Sequence, residues 1–222
     1  MNEISANFEK TTGCNLRVST GSSGNFLSQI ENGAPFDVFF SADIEYPAKL
    51  EAKGLATPGS TYPYAIGKIA LWVRNDSLLD ISKGLESLRD SSVHKLAIAN
   101  PQYAPYGRAA KQALQNAGVY DAVKDRLVLG ENISQAAQFV ESGNADAGIL
   151  ALSLALSPGL KDKGRYRQIA ENLYAPIQQG VVLLRGSPNP QGAQLFLDYI
   201  KSSATAALLE RYGFVLPAKV KP

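Results

Sequence analysis

Two apolar runs, Tyr64 to Val73 and Val181 to Leu184, bracket a middle block in which strand and helix patterns alternate, and this arrangement constrains the fold more than any single motif. A chain that leaves one layered unit along a long apolar strand and returns along another builds a second unit between them. Ahead of the first run, Ile4, Phe8 and Gly13 mark a helix, Leu16 to Ser19 alternates as a strand, Phe26 to Ile30 is helical, and Asp37 to Ser41 reads as a buried strand. That is a β-α-β unit, expected in a parallel sheet covered by helices, and Ile44 to Lys53 adds a helix ended by Gly54. The middle block offers strand Leu96 to Ala99, helices Arg108 to Ala117 and Ile133 to Ser142, and strand Ala147 to Leu150. Helices Pro190 to Lys201 and Ala204 to Tyr212 close the chain. The expected fold class is α/β with two lobes, each a mostly parallel sheet flanked by helices. Residues 1–66 plus 187–222 form lobe 1, residues 67–186 form lobe 2, and two crossings make a hinge.

Composition excludes several kinds of chemistry. The single Cys14 cannot form an intramolecular disulfide, and with the single His94 it cannot supply a Cys/His zinc cluster. A histidine-based nucleophile would have to use His94, which lies in a polar turn, Ser91 to Lys95, with no nucleophile placed beside it by motif. The 22 basic residues are scattered and the net charge is only +2, so no nucleic-acid footprint is present. No segment approaches the roughly 20 apolar residues that span a bilayer, and Met1-Asn2-Glu3-Ile4 lacks the basic and apolar regions of a secretory signal.

Ligands of open α/β sheets bind beyond the carboxyl ends of strands, so a cleft between the lobes would be lined by Thr20 to Asn25, Ser41 to Asp43, Asn100 to Arg108 and Gly130 to Ile133. The first of these loops lies in Ser19-Thr20-Gly21-Ser22-Ser23-Gly24-Asn25, a run of hydroxyl and glycine residues between a strand and a helix. Free N–H groups at a helix start carry the positive end of the dipole and attract oxyanions without lysine or arginine. The same run also suits an ordinary N-cap, in which Ser22 or Ser23 only satisfies the helix start.

Several stretches in order resemble one family, the molybdate/tungstate-binding proteins of bacterial ABC importers, within the type II periplasmic-binding-protein fold. They are Gly21-Ser22-Ser23-Gly24, the run Ile30-Glu31-Asn32-Gly33-Ala34-Pro35-Phe36-Asp37-Val38-Phe39-Phe40-Ser41-Ala42-Asp43, Tyr64-Ala65-Ile66-Gly67-Lys68, the run Asn100-Pro101-Gln102-Tyr103-Ala104-Pro105-Tyr106-Gly107, and Arg211-Tyr212-Gly213-Phe214. The resemblance spans nearly the whole chain. It implies that Ser23 donates to the oxyanion with Ser22 beside it, that the Tyr106 hydroxyl reaches the anion, and that the backbone N–H of Ile133 faces it. A tyrosine after proline also suits plain packing, and the Ile133 side chain suits the core. Another branch of the family places a tyrosine after the later Gly-Ile strand, where this chain has Ala151, which favours Tyr106 as the hydroxyl donor. Metal would be met only indirectly, with Ser23, Tyr106 and Ile133 touching the oxygens of molybdate, and no cofactor is implied. The implied partners are a small oxyanion and an importer permease, without nucleic acid, for a monomer in the periplasm or otherwise outside the cytoplasm.

The chemistry agrees with an all-donor site. A tetrahedral dianion needs many neutral donors and no acceptors, and an all-donor site disfavours anions that still carry a proton. One departure bears on this expectation. Family members begin with a strand and a turn that supply further donors, whereas this chain starts inside the following helix. By analogy that strand lies centrally in the first sheet, so its absence would leave unpaired backbone edges and an incomplete site, which implies a truncated sequence, a weak binder, or a gap filled by a segment of another chain. Among smaller candidates, Asp43 reads as a helix cap, Asp146 as a turn residue, and Arg108 as either a source of positive potential at the cleft or a surface residue. Lys161, Lys163, Arg165 and Arg167 read as a solvated face, with importer docking the minor alternative. Two other functions fit the same fold: an enzyme acting on an oxyanion-bearing substrate, which would need acid-base groups that the cleft loops lack, and a ligand-sensing module of a regulator.

Overall fold

In the computed structural model, which describes residues 1–218, the chain opens with helix α1 (Asn2–Thr12), closed by Gly13 in the left-handed conformation with φ 72°. Helix α2 (Ser23–Glu31), strand β1 (Val38–Ser41), helix α3 (Glu45–Ala52), and strands β2 (Tyr62–Gly67) and β3 (Ile69–Arg74) follow. Next come β4 (Leu96–Ala99), α4 (Pro105–Asn116), α5 (Tyr120–Val123), β5 (Leu127–Gly130), α6 (Ile133–Glu141) and β6 (Ala147–Ala151). The chain ends with α7 (Leu152–Ala155), β7 (Gly164–Gln168), β8 (Ile177–Leu183), α8 (Pro190–Ile200) and α9 (Ser203–Arg211).

The strands form two sheets, one ordered β1-β8-β2 and the other β5-β4-β6-β3-β7. The apolar run from Tyr64 to Val73 therefore divides at Lys68, with β2 in the small sheet and β3 in the large one. Here the chain passes from one sheet to the other, with Gly67 still paired in the small sheet. The return differs: β8 pairs along its length with β1 and β2, so the second crossing precedes Ile177 rather than falling at 187. Backbone ladders, which the amino-acid pattern does not display, decide that boundary.

Strand direction also departs from expectation. In the large sheet β4 is parallel to β5 and to β6, as consecutive β-α-β units require, but β3 is antiparallel to β6 and β7. In the small sheet both pairings are antiparallel. Strands β1 and β2, joined through α3, do point the same way, but the returning β8 inserts between them and runs opposite. The expected strand Leu16 to Ser19 forms no ladder. Its segment and the outer edge of β1 both line one large cavity, and among the described residues no strand pairs with it.

Each sheet has its own core. All of β4 is buried, and α4 and α6 pack on it, which is why its four residues are apolar without alternation. Leu71, Leu96, Ile98, Leu114 and Ile149 fill the larger lobe. In the smaller lobe α1, α8 and α9 pack together through Ile4, Phe8, Phe196, Ile200 and Leu209. Phe8 meets Phe196 and Tyr199 edge to face at 5.0 and 5.4 Å. Burying an aromatic side chain of this kind contributes roughly 1.5–3 kcal/mol. That contact holds α1 onto the lobe whose cavity it helps to line.

Candidate functional site

A cavity of about 810 Å³ lies between the lobes and reaches back along the outer edge of β1. Ser22, Ser23, Tyr106 and Ile133 all line it, so the four residues singled out from the sequence are brought to one space from both lobes. Its other end, bounded by Phe8, Phe40 and Phe196, is apolar. Asp37 and Arg17 also line the cavity, and Asp37 Oδ1 is held by the Ser187 hydroxyl at 2.5 Å and by the Asn189 N–H at 3.0 Å.

Helix α2 starts at Ser23 because Ser22 is extended (φ −77°, ψ 146°) and its Oγ accepts the Asn25 N–H at 3.4 Å. The N-cap role expected of this loop is thus filled by Ser22. Ser23 has a different one: its Oγ accepts the N–H of Ala42, past the end of β1, at 3.0 Å. The proton of that hydroxyl has no acceptor among the described residues and remains to donate. The backbone N–H of Ser23, in the first helical position, takes no partner among the described residues. Gly24 bridges the lobes by donating to Tyr103 O at 3.0 Å, and a Cβ there would sit 2.9 Å from that oxygen. Only glycine permits this approach.

On the other side Asn132 caps α6, its Oδ1 accepting the N–H groups of Ser134 and Gln135, each at 3.0 Å. The N–H of Ile133 takes no partner among the described residues, while its side chain packs against the core of the larger lobe. Tyr106 lies in the first turn of α4, behind Pro105, which supplies no N–H there. Its ring is buried among the residues of the larger core, and its hydroxyl accepts the Gln179 Nε2–H at 2.7 Å. Burial raises the Tyr106 phenol far above its ordinary range, so it keeps its proton. The packing read for this tyrosine is met by its ring, while its hydroxyl proton has no acceptor among the described residues.

The structure adds Gln179, which no motif had marked, and gives Tyr64, the first residue of the stretch Tyr64 to Lys68, a partner in it. Gln179 in β8 and Tyr64 in β2 stand behind Tyr106. A buried glutamine next to the apolar run Val181 to Leu184 was the available signal. Arg108, read from sequence as a source of potential or a surface residue, pairs with Asp43 across the cleft and donates to the Tyr46 hydroxyl at 2.9 Å. Asp43 also accepts the Glu45 N–H at 3.0 Å, the helix-start role expected of it.

His94 is exposed, and its N–H and that of Lys95 donate to Asp146, each at 2.8 Å, which makes Asp146 the turn residue expected. Cys14 is free and half-buried. Arg165 and Arg167 lie on the exposed edge strand β7, where charged residues deter pairing with other sheets. Among the described residues no group of three or more His, Cys, Asp or Glu side chains could hold a metal ion. Among them, too, no helix is long and apolar enough to cross a membrane.

A sequence profile described as bacterial extracellular solute-binding protein matches residues 1–215. The molybdate-binding protein ModA of Azotobacter vinelandii is 42% identical over 217 residues, covering 97% of this chain and 85% of the relative. ModA of Rhodobacter capsulatus is 38% identical over 213 residues, covering 96% of this chain and 82% of the relative. The solved periplasmic molybdate-binding protein of Azotobacter vinelandii superposes with a TM-score of 0.91 at 37% identity, covering 98% of this chain and 94% of that one.

Proposed function

The chain belongs to the bacterial extracellular solute-binding proteins, and from that premise we propose that it captures molybdate or tungstate in the cavity between its lobes and delivers the anion to an ABC importer. The observation that carries this reading is a set of groups around one cavity that have protons to donate and no acceptor for them among the described residues: the Ser23 hydroxyl, the Tyr106 hydroxyl, and the N–H groups of Ser23 and Ile133. Two helix starts add the positive ends of their dipoles. Neutral donors hold a dianion without the desolvation that a buried counter-ion would require. In this reading molybdenum is cargo, reached through its oxygens, and the protein needs no resident cofactor.

Binding, not turnover, is the task these residues suit. Among the described residues that line the cavity, none forms a nucleophile-base pair with a histidine. Contacts from both lobes select the closed form, and the closed form is what a permease outside the cytoplasm would receive from a monomeric carrier. The test is isothermal titration with molybdate, tungstate, sulfate and phosphate. Molybdate and tungstate are expected to bind well ahead of phosphate. Absence of heat with every oxyanion, or turnover of a phosphoryl or sulfuryl ester, would overturn the proposal.

A further inference from the structure

Behind Tyr106 stands a chain of hydrogen bonds with a fixed direction. Gln179 is 5% exposed, lies in β8, and joins two tyrosines from different elements. Its Nε2 donates to the Tyr106 hydroxyl at 2.7 Å, and its Oε1 accepts from the Tyr64 hydroxyl at 2.5 Å. An amide nitrogen only donates and an amide oxygen only accepts, so each end of Gln179 dictates what the facing phenol does. Tyr64 fixes which end faces which. Its ring packs edge-on to Phe40 at 5.3 Å beside the apolar cluster of Phe8 and Phe196, and among the described residues its hydroxyl has no acceptor besides Gln179. Turning the amide over would take from the Tyr64 proton the acceptor it has among the described residues, which is costly. Tyr64, Gln179 and Tyr106 all line the cavity, and with the Tyr64 proton given to Gln179 and the Tyr106 oxygen held by it, the Tyr106 proton is the one of the two left to meet a ligand there.

We propose that Gln179, held in orientation by Tyr64, is a positioning residue that makes Tyr106 an obligatory donor toward the cleft and so sets the preference for fully deprotonated oxyanions over protonated ones. A phenol whose oxygen is already engaged by an N–H donates to the ligand, and is a poor acceptor for a ligand's own proton. The backbone leaves room for this arrangement at Gly67, where a Cβ would lie 2.8 Å from Gln179 Nε2 and overlap the Tyr106 hydroxyl. The inference rests on the oxyanion reading of the cavity.

The experiment measures molybdate and inorganic phosphate affinities near neutral pH, where phosphate carries a proton, for the wild type, Gln179→Met and Tyr64→Phe. Gln179→Met preserves length and bulk but releases the Tyr106 hydroxyl to turn. Molybdate binding is expected to weaken roughly tenfold or more, as for a lost orientation of a bond to a charged group, and the molybdate-to-phosphate ratio to fall with it. Tyr64→Phe leaves Tyr106 and Gln179 in place and is expected to lower the same ratio by a smaller factor. If Gln179→Met does not fold, Tyr64→Phe decides. An unchanged ratio in the folded variants, with all anions weakened alike, means that Gln179 only braces the fold and overturns the inference while leaving the oxyanion reading intact. A wild type that binds no oxyanion removes both.

Discussion

The carboxylate of Asp43, just past β1, and the guanidinium of Arg108, in α4, form an ion pair that bridges the two lobes. The pair is partly exposed, with side-chain exposures of 20% and 41%. Arg108 is held further by the Tyr46 hydroxyl, and Asp43 by the Glu45 N–H. The charge of Arg108 is thus already met by a carboxylate. The bond from Asn25 Nδ2 to Glu131 Oε1 at 3.1 Å is a second contact from one lobe to the other.

Removing either partner should favour the open form and lower apparent affinity without touching the ligand. Arg108→Ala and Asp43→Ala are each expected to weaken molybdate binding by about 0.5–1 kcal/mol, the scale of a partly exposed ion pair. The double variant should lose less than the sum. Titrations of the four proteins at low and high salt check this, because the coupling should shrink as ionic strength rises.

Ser23→Ala and Tyr106→Phe remove one hydroxyl each from the cavity wall. Each should weaken molybdate binding by about 1–3 kcal/mol, the range for hydrogen bonds to a charged partner. Ser23→Ala also unpairs the Ala42 N–H, so melting temperatures must accompany the titrations to separate binding from stability. Unchanged affinity in both variants would remove these residues from the site.

Much of the site was legible because it is local. The hydroxyl run at Ser22 and Ser23 and the stretch Pro105-Tyr106 are read from neighbouring residues and line one cavity, although the helix read from Arg108 begins at Pro105 and the cap at Asn132 was not marked. What stayed hidden depends on pairing at a distance. Gly164 to Gln168 looks like a charged tract, yet becomes β7 because its backbone pairs with β3, with every side chain after Gly164 exposed. Leu16 to Ser19 has the converse history, a strand pattern without a partner. Asp43 and Arg108 were both noticed, but as a helix cap and an isolated cation, since nothing in their spacing announces that the lobes bring them together.

Acid should loosen the first helix. The Arg211 guanidinium and, at 2.8 Å, the Tyr212 hydroxyl both donate to the Glu3 carboxylate, Arg211 foremost, and hold it below the usual glutamate range. A carboxyl depressed on folding adds stability above its unfolded pKa of about 4.3, and that stability is lost as the pH falls through the lower folded value. Thermal unfolding of the wild type and Glu3→Gln between pH 7 and pH 3 should show a gap at neutral pH that closes on the acid side. A gap that widens in acid would contradict the clasp between α1 and the end of α9.

Gly67→Ala separates the site from the scaffold. The glycine ends β2 beside the crossing at Lys68, its φ is not positive, and the backbone accepts any residue there. Space is what forbids a side chain, since the added Cβ would overlap the Tyr106 hydroxyl and lie 2.8 Å from Gln179 Nε2. Both are ends of side chains, so they can be displaced while the strands stay paired. Gly107 offers the contrast, because a Cβ there would collide with the backbone oxygen of Ala99 in the core strand β4. Gly67→Ala is therefore expected to fold with a melting temperature near that of the wild type and to lose molybdate affinity tenfold or more, about 1.4 kcal/mol or greater. Gly107→Ala is expected to lose stability first, and circular-dichroism melting beside titration distinguishes the two. Equal loss of stability in both would mean that the hinge backbone at Gly67, rather than the orientation of Tyr106, requires the missing side chain.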